Sequence, residues 1–102
     1  MNDRISKLVQ LAEKDKSDPF TFYALASEFK SIGEQKKAIE YFDFLIANFP
    51  AYLPTYLQYG LFVQESDPIK SKRLFLEGIK LSEIQNDFHT KRELEEFLNE
   101  LE

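Results

Sequence analysis

Ile5, Leu8, Leu11 and Ala12 put apolar side chains at i, i+3, i+6 and i+7, with Lys7, Gln10, Glu13 and Lys14 between them. That spacing predicts an amphipathic helix over about residues 3 to 15. Ser17-Asp18-Pro19 follows as a helix start. The Asp18 carboxylate can accept from free backbone N–H groups, and Pro19 costs nothing at the first helical position. The next helix carries Phe22, Leu25, Ala26 and Phe29 inward, and Gly33 stops it because glycine tolerates the left-handed conformation. A third helix is expected from about Gln35 to Asn48, burying Ala38, Ile39, Phe42, Leu45 and Ile46. Pro50 prevents its continuation.

The second half repeats the scheme. A helix is expected from about Leu53 to Glu65, with Pro54 in its first turn. Asp67-Pro68 is a second Asp-Pro start. The helix after it buries Ser71, Leu74, Phe75, Gly78 and Ile79, meets no closing proline, and is expected to run to Ile84. Asn86 and Asp87 form the break. Asp87 is one candidate cap, and Thr90-x2-Glu93 has the form of a capping box. The last helix places Leu94, Phe97, Leu98 and Leu101 on one stripe. This makes six helices with no sustained strand-like alternation. Short connections make consecutive helices antiparallel neighbours.

The repetition has a fixed period. Phe22-x2-Leu25-Ala26-x2-Phe29 returns as Tyr56-x2-Tyr59-Gly60-x2-Val63, each position 34 later (56 − 22 = 34). Ala38-x3-Phe42 returns as Ser71-x3-Phe75, 33 later (71 − 38 = 33). Large, small and large residues at helical spacing suit hairpins whose backbones approach closely. Ala26 and Gly60 then mark crossings in the first arms, and Ala38, Ser71 and Gly78 in the second arms. A glycine inside a helix costs about 1 kcal/mol relative to alanine, so Gly60 needs a packing reason.

These residues resemble the tetratricopeptide repeat (TPR), whose signature is W-x2-L-G-x2-Y, then A-x3-F, then P, over 34 residues. Phe22, Leu25, Ala26, Phe29, Gly33, Ala38, Phe42 and Pro50 match most positions. Tyr56, Tyr59, Gly60, Val63, Ser71, Phe75 and Gly78 match more loosely, with one residue fewer near Ser66-Asp67 and no closing proline. The first helix is similar to a second arm and the last to a first arm, so the likeness covers nearly the whole chain. It looks like small stand-alone bacterial members of that family. The resemblance implies an all-α fold: a right-handed stack of antiparallel helical hairpins, about six helices in one domain, 1–102. Residues 1–16 form a flanking helix, 18–50 the first repeat, 51–84 the second, and 87–102 a capping helix, because stacked repeats need their ends covered.

The resemblance also implies what such a chain does. First arms line a concave groove that holds a peptide or helix of a partner, as an adaptor or scaffold. The matching positions are Phe20, Tyr23, Ser27 and Lys30 in the first copy, Leu57, Leu61 and Gln64 in the second, and Arg92, Glu95 and Asn99 in the last helix. Such grooves work through a few anchors and a polar rim. The alternative is that Tyr23, Leu57 and Leu61 simply pack together. Some family members grip a C-terminal carboxylate with lysine and asparagine. Here the matching positions hold Tyr23, Ser27, Gln58 and Leu61, so only Lys30 supports a clamp. Tyr41 and Phe44 stand on an outer arm. They are either covered by the first helix or form a self-association patch, which leaves a homodimer and a self-assembling structural subunit open.

Composition narrows the classes. With 43% hydrophobic residues, a chain of 102 can bury a core without staples, and the absence of cysteine excludes disulfides. The net charge of −5 disfavours nucleic acid, whose phosphates it repels. Residues 87–102 carry six acids and two bases, a balance of −4, read as a solvated face or a dock for a basic partner. The beginning of the sequence shows no apolar leader, and no run approaches the ~20 apolar residues of a membrane span. A cytoplasmic protein is expected. His89 is the sole histidine, expected as an ordinary surface residue. No phosphate-binding glycine loop appears, and Glu95 and Glu96 point to different sides of a helix. Neither catalytic residues nor a cofactor or metal is expected, and the chain reads as a non-enzyme.

Overall fold

The structure is a computed structural model that describes residues 2–101. It contains six α-helices and, among the described residues, no strand: α1 (Asp3–Lys14), α2 (Pro19–Ser31), α3 (Gln35–Asn48), α4 (Pro54–Val63), α5 (Pro68–Ile84) and α6 (Phe88–Leu101). The fold class is all-α. Contacts divide the chain into two compact units, Met1–Tyr52 and Leu53–Glu102.

In the first unit, α2 packs on both α1 and α3. Asn2 caps α1 by accepting from the Arg4 N–H, and Asp18 caps α2 by accepting from the Phe20 N–H. The hairpins are antiparallel. Arg4 near the start of α1 pairs with Glu28 near the end of α2 at 2.8 Å. Phe29 late in α2 stacks on Tyr41 midway along α3, while Phe22 early in α2 meets Phe44 one turn further on. Ile5, Ala12, Phe22, Leu25, Ala26, Ala38, Phe42 and Leu45 are buried. Gly33 ends α2 with φ +80. Its N–H donates to the Lys30 carbonyl, and the Glu34 N–H reaches back to the Phe29 carbonyl. This is the six-to-one closure that a left-handed residue permits.

The second unit is the pair of hairpins α4–α5 and α5–α6. Its core holds Leu53, Phe75 and Leu94, with Leu57, Leu61, Ile79, Phe97 and Leu98 packed against them. Phe75 stacks on Phe97 with centroids 6.2 Å apart. Gly60 and Gly78 do the work of small residues. A Cβ built on Gly60 would lie 2.7 Å from Phe75 Cδ1, and one on Gly78 would lie 2.9 Å from Tyr56 Cβ. Lys70 Nζ donates to the Tyr59 hydroxyl at 2.5 Å, tying α5 to α4.

Three local expectations are corrected. Leu11, assigned to the buried face of α1, is exposed. α1 packs on α2 through a narrower stripe containing Ile5 and Ala12, which leaves the i+6 position at its margin. Thr90 and Glu93 do not form a capping box. Asp87 is the cap: its carboxylate accepts from the Thr90 N–H at 3.1 Å and from Thr90 Oγ1 at 2.8 Å. Those two donors hold the Asp87 carboxyl below its ordinary range, the backbone bond most. Helix α4 is also shorter than expected, because Gln64 and Glu65 already lie in the turn. The extension of α5 to Ile84 agrees with the missing proline. It ends on Asn86 at φ 58, with the Asp87 N–H donating to the Ser82 carbonyl. This repeats the closure at Gly33 with asparagine in the left-handed place.

Candidate functional site

In the first unit the site begins at the cap of α2. Asp18 and Pro19 fix the first turn, so the next side chain, Phe20, is thrown outward and is 60% exposed. Tyr23 follows one turn later and is half-buried. The Phe20 and Tyr23 centroids are 6.5 Å apart. Tyr23 meets Tyr52 edge to face at 5.7 Å. Tyr52 is placed by the turn after α3, where its N–H donates to the Phe49 carbonyl at 3.0 Å. Pro19, Asn48, Phe49, Pro50, Ala51 and Tyr52 line an apolar hollow of about 420 Å³ beside this run of rings. Burial pushes the Tyr23 phenol upward, with Tyr52 adding to it. Burial likewise raises Tyr52, helped by the Asp18 charge.

Ser27 and Lys30 lie further along α2 and are half-buried. Positions 20, 23, 27 and 30 recur at helical spacing, so all four expected residues share one stripe of α2. The aromatic end of that stripe offers flat apolar surface with two phenol hydroxyls. Its other end offers a hydroxyl and an ammonium.

In the second unit the expected residues divide. Leu57 and Leu61 are half-buried and pack against Leu53, Phe75 and Leu94. These two leucines therefore contribute to their own core. Gln64 follows as the residue that closes α4 and is half-buried. Arg92, Glu95 and Asn99 are exposed on one face of α6, at i, i+3 and i+7.

Tyr52, Phe49 and Pro50 are the part of the first-unit surface that repeat spacing missed. The signal was present in Asn48-Phe49-Pro50-Ala51-Tyr52, where two aromatic residues flank a helix-ending proline. The outer pair is also placed. Tyr41 stacks on Phe29 with an interplanar angle of 8°. Phe44 contacts the Phe22 ring at 4.6 Å yet remains 38% exposed. It lines a hollow of about 280 Å³ with Val9, Ala12, Glu13, Lys16, Phe22 and Tyr41. The first helix thus borders Phe44 without covering it.

His89 is exposed, with Nε2 3.5 Å from Glu93. Among the described residues no group of three or more His, Cys, Asp or Glu could hold a metal ion. No helix among them is long and apolar enough to cross a membrane. No protein-family model, curated protein or solved structure matches the chain.

Proposed function

We propose that this chain is a non-enzymatic protein-interaction module of TPR type, a cytoplasmic adaptor or scaffold that holds a peptide or helix of a partner protein. The observation that carries the reading is Phe20. A phenylalanine 60% exposed beside Tyr23, Tyr52 and an apolar hollow is a ready anchor point. Rigid aromatic rings supply contact area at low entropic cost and dominate many binding surfaces. Ser27 and Lys30 continue the same stripe and supply polar contacts. On the second unit, Arg92, Glu95 and Asn99 form an exposed polar face of α6 by themselves. Leu57 and Leu61 serve mainly as packing.

The test is capture of partners from the source cell with wild-type protein and with Phe20→Ser. A partner held by wild type and lost from the variant, at unchanged helicity, supports the reading. Equal capture by both removes Phe20 from it.

Phe44 favours a second reading, a homodimer or self-assembling subunit joined through the outer aromatic face. Its ring lies open over the hollow bordered by Val9 and Tyr41. Sedimentation of wild type and Phe44→Ser over a range of concentrations separates the two. A concentration-dependent dimer that the substitution abolishes favours self-assembly, and a strict monomer removes it.

A further inference from the structure

The hollow beside Phe44 is apolar on its walls and charged on its rim. Val9, Ala12, Phe22, Tyr41 and Phe44 form the walls, and Glu13 on α1 and Lys16 in the turn after it form the rim. Its volume of about 280 Å³ lies below the roughly 300–1,000 Å³ of ordinary ligand pockets, so it suits an inserted side chain better than a cofactor. Glu13 and Lys16 are exposed, and among the described residues neither side chain makes an ion pair or hydrogen bond. On α3 the charges nearest in sequence to Tyr41 and Phe44 are already engaged. Glu40 pairs with Lys37 at 3.5 Å, and Asp43 interacts within the chain.

One free charge of each sign therefore flanks an apolar opening. A purely acidic occupant would satisfy Lys16 and be repelled by Glu13, and a basic one the reverse. A second copy of this chain brings both signs in the same pattern. In a two-fold interface residue i meets j and j meets i, so Glu13 of each copy faces Lys16 of the other. The wider charge distribution favours the same contact. The chain carries −5, but residues 1–52 hold eight acids and seven bases (7 − 8 = −1), against ten acids and six bases (6 − 10 = −4) in residues 53–102. The first unit is thus the part of the chain that meets its own kind with least repulsion.

We propose that two copies associate about a two-fold axis at this hollow, with Phe44 of each closing the mouth of the other and two reciprocal Glu13–Lys16 pairs at the rim. The inference rests on the second reading above, in which the outer aromatic face joins copies of the chain. It adds the symmetry of that contact and the charges that specify it, and it makes the product a closed dimer rather than an open assembly. The surface uses none of Phe20, Tyr23 or Tyr52.

Analytical ultracentrifugation of the full chain tests it, with wild type, Phe44→Ser, Glu13→Lys, Lys16→Glu and an equal mixture of the last two. Wild type is expected to show a monomer–dimer equilibrium that Phe44→Ser abolishes. Each charge reversal makes both reciprocal pairs like-charged and should weaken dimerisation by at least about tenfold. The mixture should dimerise again, because a copy basic at both rim positions meets one acidic at both. Native mass spectrometry with one variant isotope-labelled identifies that species as mixed. Both positions are exposed, and circular dichroism checks that the helices persist. Glu13→Lys with Lys16→Glu in one chain keeps both pairs with their signs exchanged and should dimerise like wild type. A Phe44-dependent dimer that ignores both reversals, or a mixture no stronger than its parts, overturns the two-fold pairing and leaves the aromatic face standing. Oligomers that keep growing with concentration overturn the closed dimer in the same way. A wild type that stays monomeric at every concentration overturns both.

Discussion

Ser71 Oγ donates to the carbonyl of Gly60 at 2.7 Å across the α4–α5 hairpin, and both residues are buried. Repeat spacing marked Ser71 only as a small residue, yet its hydroxyl also joins the two arms. Ser71→Ala should lower stability by about 1 kcal/mol, the ordinary net worth of such a bond. Chemical denaturation compared with wild type measures it. An unchanged midpoint would mean that the bond adds nothing.

Gly60 and Gly78 should respond differently to the same change. Alanine at Gly60 would meet the ring of Phe75, which is fully buried and has little room to move. Its gain in helix propensity of about 1 kcal/mol is then outweighed by an overpacking cost of about 1–3 kcal/mol. At Gly78 the nearest contact is Tyr56 Cβ at 2.9 Å, with Leu94 Cδ1 at 3.0 Å, so the overlap is shallower than at Gly60 although neither neighbour can swing clear. Gly60→Leu is expected to be worse than Gly60→Ala, and Gly78→Ala milder than either. Thermal melts in which Gly60→Ala matches or exceeds wild type would refute this ranking.

Thr55 offers a gain instead. It is fully buried, and among the described residues its Oγ1 has no hydrogen-bond partner. A lone buried hydroxyl carries a desolvation cost without return. Thr55→Val keeps the shape and should stabilise the chain by about 1 kcal/mol. A loss of stability would show that the hydroxyl has a partner in solution.

Alkali should weaken the fold through three phenols. Tyr23, Tyr52 and Tyr56 are each pushed above the ordinary value of 10.0, first by burial. A raised phenol holds its proton more tightly in the folded chain than in the unfolded one. Its contribution is therefore complete below about pH 10 and is lost as pH rises through the folded value. Denaturation midpoints measured on both sides of pH 10 should fall on the alkaline side. Tyr23→Phe and Tyr52→Phe should each flatten that fall, and an identical slope in the variants would assign the loss to other groups.

The helix borders were legible because their signals are backbone chemistry. Asp18-Pro19, Gly33, Pro50 and Asp67-Pro68 act where they stand, whatever the tertiary context. What the sequence could not convey depends on neighbours. Leu11 fits the helical period, but α1 lacks a partner wide enough to cover it. Asn86 takes a left-handed φ that its type only tolerates. Asp87 secures Thr90 before Glu93 can form a box with it. The candidate surface divides for the same reason. Phe20 and Leu57 are both large apolar residues on first arms, and only coordinates separate the ring left in water from the leucine laid on a core.

Quantitative mass spectrometry of proteins captured by wild type and by Phe20→Ser, from the cell that makes this chain, tests the central claim most directly. The account predicts at least one protein retained by wild type and depleted about tenfold or more by the variant, the scale expected for an anchor residue, with circular dichroism unchanged. Identical captures from the two, with both folded, would contradict it.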